Sequence, residues 1–508
     1  MDQHSSDQSK ITRRDALKVT AAAGAAMGLA TVGATQITDA KRSNRIRKEN
    51  KKTGTTDWQL TYTRVDPKTR YRSPLIEGYV SKASVATGES LDIMVSTNPA
   101  GPFKIDVYRM GYYGGTGGRH MKTLGPFDGT VQPDPEVGEH RLRECQWESC
   151  TTLNIPDDWV SGVYLGKLSL LEDRYQSYII FIVTDDRKAD LLFQCSDNTW
   201  QAYNRWPDQY ALYDDGESQW ALKAGVKVSY DRPYGKYCQI LDNPLSQGSG
   251  EFLLWEFPLA FWMEREGYDV AYCSNTDIHA TPSILDHVKG FISVGHDEYW
   301  SLEQFKHMKD AVDNGLNVAF LSGNTCCFVS PFEDGRSGAP NRIIERAGRY
   351  GGLSDIEKKK MGPFPITDAP NESSLIGGRT TNPYNGSADW IISDDSSWIF
   401  NKTRLKKGDR IPGLVGWEFH GEPADIPGLQ IVAEGIATNA GKETAHWAST
   451  LYPGTKDNWV FNASTIWWTQ ALSVPPGHMP PISHYGRPHG RDPRVEQITR
   501  NILDRFVK

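Results

Sequence analysis

The stretch FISVGHDEYWSLEQF, at residues 291–305, places several polar side chains directly after an apolar run. The apolar residues predict a buried strand, and the four residues that follow it are His296, Asp297, Glu298 and Tyr299. Burying such groups is costly unless each one is hydrogen-bonded or bound to a ligand. Their position at the end of a strand therefore indicates a functional site.

His296 and Glu298 are two residues apart, so their side chains leave an extended backbone on the same face. That spacing suits two metal ligands, or one ligand and a residue that orients it. A second interpretation stays open, because Glu298 could instead cap the helix that is predicted to begin near Ser301. In that case His296 would be a hydrogen-bonded core residue.

Three other predicted strands also end in polar residues. The segments that follow them read SDNTWQAYNRW, SNTDIHA and GNTCCF. Ligands of open parallel sheets bind beyond the carboxyl ends of the strands. Four such ends at one edge of a sheet therefore predict a single site there.

Two kinds of pattern predict two folded domains. Short alternating strands without a helical run fill residues 56–187, which predicts a β-sandwich domain. From 188 to 508, apolar strands alternate with helical segments, which predicts an α/β domain with a mainly parallel sheet. The predicted fold class is therefore multidomain α+β, with a second domain of the glutamine-amidotransferase or flavodoxin kind.

The N-terminal segments predict export. Arg13-Arg14 before an Ala/Gly run resembles a twin-arginine signal over residues 1–40, which implies a periplasmic, extracellular or cell-surface protein. The run is short and weakly apolar for a membrane span, although anchoring without cleavage stays open. Residues 41–55 read as a solvated basic linker.

The formal charge of -7 argues against a nucleic-acid partner. In an exported chain, Cys145 and Cys150 could close a small loop.

Several motifs resemble the large subunit of N,N-dimethylformamidase and its relatives. In chain order they read YRMGYYGGTGGRHM, NTWQAYNRW, ALYDD, DRPYG, GHDEYWSLEQF, FLSGN and VFNASTIWW. The resemblance covers most of residues 60–475. It implies an amidase that holds a mononuclear iron through two tyrosines and one glutamate.

Each implied site residue lies at a matching position of this sequence. The ligands that the resemblance implies for one Fe³⁺ per chain are Tyr203, Tyr213 and Glu298, with Tyr234 as the alternative to Tyr213. The catalytic residues that it implies are His296, Asn324 and Glu418, and Glu418 in VGWEFHG rests on the weakest match. Two phenolates and a carboxylate are hard donors, and their three charges suit a trivalent cation better than zinc.

The sequence therefore predicts an exported hydrolase of the C–N bond in a small amide, with the metal activating water. The chain is shorter than the catalytic subunit that it resembles, which leaves the substrate open. That enzyme works with a small accessory subunit; whether this chain has one, or forms a homo-oligomer, also stays open. The alternative function is a non-catalytic exported protein that binds a saccharide or polymer in an aromatic pocket formed by Trp200, Trp206, Trp300, Trp467 and Trp468.

Overall fold

The computed structural model describes residues 44–63, 71–235, 247–382, 385–479 and 490–508. Residues 42–508 form one compact unit. The predicted signal at 1–40 lies outside the described residues, and the division into domains at residue 187 stays a prediction. Within the described ranges, no helix combines the length and apolar character that a membrane crossing requires.

The segment predicted as a basic linker is partly helical. Helix α1 (Asn44–Glu49) buries Ile46 completely. The carboxylate of Glu49 lies 2.7 Å from a guanidinium nitrogen of Arg119, and the side-chain carbonyl of Asn50 accepts hydrogen bonds from two backbone N–H groups. These contacts attach the described part of the segment to the folded body, so it is not a solvated chain.

Strands β1 to β8 form two sheets that pack against each other. Their bounds are Ile76–Val80, Ser84–Ala86, Ser90–Thr97, Pro102–Met110, Gly118–Asp128, Ser149–Asn154, Gly162–Leu170 and Gln176–Thr184. One sheet has the order β1-β3-β6 and the other the order β2-β8-β7-β4-β5. Apolar residues of both sheets, among them Ile93, Ile105 and Phe181, share one buried core.

The rest of the described chain contributes strands β9 to β25 and seven further helices. The strands are Leu191–Gln194, Lys227–Ser229, Val270–Cys273, Gly290–His296, Tyr299–Trp300, Asn317–Gly323, Phe328–Val329, Phe332–Glu333, Ile343–Glu345, Gly348–Arg349, Gly378–Thr380, Gly386–Ile391, Arg410–Trp417, His420–Pro423, Gln430–Thr438, Thr444–Pro453 and Trp459–Asn462. Helices α2 to α8 are Asp197–Tyr203, Phe257–Glu266, Asn275–Ala280, Leu302–Asp313, Asp355–Met361, Ser373–Ile376 and Pro493–Phe506.

The largest sheet is mixed, so the predicted fold class is wrong. Its nine strands have the order β11-β9-β12-β14-β25-β24-β23-β20-β21. The first five run parallel to their neighbours, whereas β24, β23, β20 and β21 pair antiparallel. The described residues therefore form a β-rich structure, and they contain no flavodoxin-like domain with a parallel sheet.

The antiparallel pairing in the second half of this sheet was not predicted, and two of its strand pairs are irregular. The register of β23 against β24 shifts after Ile431, and that of β20 against β21 shifts after Ala388. Such a shift turns the following side chains to the opposite face of the sheet.

Strand β12 shows why polar residues gather at the edge of the sheet. Phe291 packs into the core on one face, and Ile292 and Val294 pack into the core on the other. A strand covered on both faces accommodates polar side chains best at its ends. The carboxyl ends of β9, β12 and β14 lie at one edge because these strands run parallel.

Candidate metal centre

Three side-chain oxygens meet beyond the carboxyl end of β12. The hydroxyl of Tyr203 lies 2.9 Å from Oε2 of Glu298 and 2.7 Å from the hydroxyl of Tyr213. The Tyr213 hydroxyl lies 3.1 Å from the same carboxylate oxygen. All three residues are at most 5% exposed. The structure thus brings together the three ligands that the resemblance implies.

Backbone contacts fix the position of Glu298. Its N–H donates to the hydroxyl of Thr199 in α2, at 2.9 Å. Its carbonyl accepts hydrogen bonds from the N–H groups of Cys327 and Phe328, at 2.9 and 3.0 Å. Tyr203 is the last residue of α2, so the same helix holds the backbone of one ligand and presents the side chain of another.

His296, Glu418 and Asn324 form a second group beside these oxygens. Nε2 of His296 lies 2.7 Å from Oε2 of Glu418 and 3.4 Å from Oε2 of Glu298. The side-chain amide of Asn324 donates to Oε2 of Glu418 at 2.8 Å. Its own carbonyl oxygen is buried and has no hydrogen-bond partner among the described residues. The ring of His296 and the amide of Asn324 are thus the donors of this group, Glu418 is its carboxylate, and the carbonyl oxygen of Asn324 is an acceptor that remains available.

Gly323 allows the segment that carries Glu418 to approach the end of β14, and so brings Glu418 close to His296. A Cβ atom at Gly323 would lie 2.2 Å from the backbone oxygen of Glu418 and 2.7 Å from the backbone nitrogen of Ile466. Only a residue without a side chain fits between these two segments. The next residue, Asn324, has a positive φ of 54°, which turns its side chain away from the strand direction.

Burial and neighbouring charge shift the ionisation of these groups. Burial raises the pKa of Glu298 to about 7, although His296 partly opposes this. Burial, reinforced by the charge of Glu298, also holds the pKa of both phenols well above its usual value. Burial alone would lower the pKa of His296, but the carboxylates of Glu418 and Glu298 outweigh it and raise that pKa to about 9. Without a cation, these effects favour neutral phenols beside an imidazolium.

Two further residues, to which sequence reasoning gave no role, contact the site. The hydroxyl of Tyr299 lies 2.8 Å from the hydroxyl of Tyr213. Two guanidinium nitrogens of Arg346 donate to the Tyr299 hydroxyl, at 2.8 and 3.2 Å. Tyr299 belongs to the motif GHDEYW, which was a usable signal. Arg346 lies in a segment with several arginines and has no sequence signal of its own.

A buried hydrogen-bond network around Asp297 lies beside the site. The carboxylate of Asp297 accepts hydrogen bonds from Gln194, Asn275 and Ser293, at 2.7, 3.0 and 2.8 Å. These partners come from β9, from α4 and from β12 itself. Asp297 therefore ties neighbouring strand ends together, while the residue after it points into the cluster of oxygens.

The oxygen cluster fits a small, highly charged cation. Neighbouring ligands of a six-coordinate ion with metal–oxygen distances of about 2.1 Å lie about 3.0 Å apart. The three oxygens already stand 2.7 to 3.1 Å from one another. Among the described residues, no three His, Cys, Asp or Glu side chains are grouped to hold a metal. A cation at this position would consequently depend on the two phenols.

Other candidate residues lie elsewhere. The ring of Tyr234, the alternative ligand, packs against Trp200 with the ring centroids 6.1 Å apart. Cys145 and Cys150 are both free thiols in this structure. The tryptophans of the alternative function are at most 2% exposed and lie in the cores; they are Trp200, Trp206, Trp300, Trp467 and Trp468.

The fold and the site define a β-rich protein with an oxygen-donor cluster at the edge of a mixed sheet. Residues 104–484 match the family described as N,N-dimethylformamidase beta subunit-like, C-terminal. Because this match covers well over half of the chain, the protein belongs to that family, and the resemblance predicted from the motifs is confirmed. Among the curated proteins, the chain has no match.

Proposed function

We propose that this protein is a dimethylformamidase-like hydrolase that cleaves the C–N bond of a small amide at one trivalent iron. The triangle formed by the oxygens of Tyr203, Tyr213 and Glu298 supports this proposal most directly. Two phenols and one carboxylic acid can release three protons, which matches the charge of Fe³⁺. The family membership adds support for the amidase class.

A cation held by these oxygens would polarise the amide carbonyl and acidify a water molecule. The chain itself supplies the proton transfers. His296, which is positively charged when it faces Glu418, is placed to give a proton to the nitrogen that leaves when the C–N bond breaks. Glu418, which faces the imidazolium at 2.7 Å, is placed to take a proton from the attacking water and to pass it to His296 once that residue has protonated the leaving nitrogen.

Asn324 is placed to orient the substrate. Its NH₂ group is already occupied by Glu418, and its carbonyl oxygen is buried without a partner. A buried acceptor of this kind is costly unless a ligand supplies a donor. We propose that the N–H of a substrate amide, or the attacking water, is that donor.

The binding-protein alternative gains no support from the described residues. Its five tryptophans are core residues, and a sugar ring needs an aromatic face that is open to solvent. Export and an accessory subunit remain parts of the proposal. The family takes its name from a β subunit, which supports an assembly with a different partner chain.

Elemental mass spectrometry and a visible spectrum of the purified chain test the metal. We expect near-stoichiometric iron and a tyrosinate-to-iron absorption band, followed by amine release from some member of a panel of small amides. In Glu418→Gln, kcat should fall about 10²–10⁴-fold while iron is retained, because the variant loses proton transfer and not a ligand. Glu434→Gln, on an exposed strand position, is the matched control. A chain that takes up no iron, even after reconstitution, would contradict the proposal.

A further inference from the structure

Arg346 is a buried cation without a carboxylate partner. Its residue is 1% exposed, and no ion pair among the described residues includes it. Its guanidinium donates instead to the Tyr299 hydroxyl and, at 3.3 Å, to the backbone oxygen of Ala221. A buried charge that lacks an opposite charge is strongly unfavourable. Glu298 attracts this guanidinium without forming an ion pair with it, and a phenolate at Tyr213 would bring a second negative charge beside it.

The nearest aromatic face is that of Tyr213. The central carbon of the Arg346 guanidinium lies 4.4 Å from the centre of the Tyr213 ring. The same guanidinium lies 5.7 Å from the Tyr299 ring and 4.8 Å from the Phe328 ring. A cation at this distance stabilises a phenol ring more strongly once the ring becomes a phenolate.

The direction of the hydrogen bonds adds a second effect on the same oxygen. The oxygen of Tyr299 accepts from Arg346, which has only donors to offer. The proton of the Tyr299 hydroxyl is then free to point at the Tyr213 oxygen, 2.8 Å away. Tyr213 thus accepts a hydrogen bond from Tyr299 in addition to its contacts with Tyr203 and Glu298.

Tyr203 has a different environment. Its hydroxyl contacts Glu298 and Tyr213, and its ring lies 5.5 Å from that of His296. None of the described contacts of Tyr203 involves Arg346 or Tyr299. The two candidate phenolate ligands are therefore chemically unequal.

We propose that Arg346 and Tyr299 are positioning residues that stabilise negative charge on Tyr213 and so weaken its donation to the bound cation. This inference rests on the proposed function. A phenolate that already shares its charge with a guanidinium and a hydroxyl gives less electron density to the metal. The metal then stays a stronger Lewis acid, while Tyr203 provides the stronger of the two bonds.

The absorption band tests this role independently of turnover. Tyr299→Phe removes one oxygen, and Arg346→Met removes the charge; both should move the tyrosinate-to-iron band to longer wavelength, since the phenolate electrons are then higher in energy. Because the Tyr213 phenolate then forms less readily, we also expect the apparent iron affinity at neutral pH to fall about 10–100-fold in each variant. Arg346→Lys, which keeps the charge without the forked geometry, should shift the band less than Arg346→Met.

Tyr350→Phe is the matched control, because that buried hydroxyl donates to the backbone oxygen of Ser301 and not to the site. Its band and iron affinity should equal those of the wild type. If the wild type binds iron and Tyr299→Phe matches it in both measurements, this inference is overturned and the proposed function survives. If the wild type shows no iron and no band, both are overturned.

Discussion

The hydroxyl of Tyr203 distinguishes a cation site from a cluster of hydrogen-bonded phenols. In the first case it is a ligand, and its removal abolishes one bond to the metal. In the second case its removal costs only the hydrogen bonds to Glu298 and Tyr213, at 2.9 and 2.7 Å. The burial of the ring changes little, because Phe fills nearly the same space.

Tyr203→Phe should accordingly lose iron but keep its fold. We expect its iron affinity to fall by more than the roughly 10–100-fold loss that is typical of residues outside the metal ligands. Its thermal midpoint without metal should stay close to that of Tyr350→Phe, which loses a buried hydroxyl elsewhere. Elemental analysis and calorimetry on both variants measure iron content and thermal midpoint. Full iron occupancy in Tyr203→Phe would show that Tyr203 is not a ligand.

Sequence reasoning reached the site residues unevenly. His296 and Glu298 were predicted from their position after a strand, because polar residues at the end of a buried strand are conspicuous. Tyr203 and Tyr213 depended on the resemblance, since a buried tyrosine without neighbours in sequence looks like any core residue. Arg346 was missed because its contact with Tyr299 joins positions 47 residues apart.

At the scale of elements, the site depends on how closely two strands approach. Glu418 follows β21 directly, in the antiparallel half of the sheet, whereas Gly323 ends β14 in the parallel half. The contact between them sets the distance from Glu418 to His296. The predicted parallel sheet contained only one of these two halves, so sequence reasoning placed Glu418 by motif alone.

Gly323→Ala should separate these strands. The added Cβ would lie 2.2 Å from the backbone oxygen of Glu418, so a segment must move, at a cost of about 1–3 kcal/mol in unfolding free energy. We also expect kcat to fall, because Glu418 would no longer reach His296 at 2.7 Å.

Urea unfolding and amide turnover measure the two effects. Gly101→Ala is the control, since the nearest atom of the described residues would lie 3.9 Å from a Cβ at that position. Wild-type stability in Gly323→Ala would show that the two segments are not held against each other as the structure describes.

At the scale of the whole molecule, His420 links stability to pH. It is fully buried beside the carboxyl ends of β14 and β25: its Nε2 accepts from the N–H of Thr325, and its Nδ1 donates to Asn462 at 2.9 Å. Burial lowers the pKa of His420 to about 4. The folded state thus keeps this ring neutral well below the pH at which an unfolded chain protonates it.

Stability should therefore decline on acidification. The unfolded chain takes up a proton at His420 below about pH 6.5, so stability is complete above that pH and is lost as the pH falls towards 4. The loss assigned to His420 is about 3 kcal/mol over this interval. Urea titrations at several pH values should show a flatter profile in His420→Gln than in the wild type. The exposed His446→Gln should keep the wild-type slope, and equal slopes in all three proteins would refute the assignment.

The order of the site residues along the chain separates two capacities. Every proposed cation ligand lies between residues 203 and 298, whereas the acid–base partner Glu418 arrives some 120 residues later, from another half of the sheet. The carboxylate that serves His296 is thus encoded in a different part of the polypeptide from the cation ligands and from His296 itself. Natural or laboratory exchange of the segment that joins β21 to β22 would change the chemistry performed at the centre without altering the atoms that hold it. The residues that bind the cation could thus stay the same while the residue at position 418 changes.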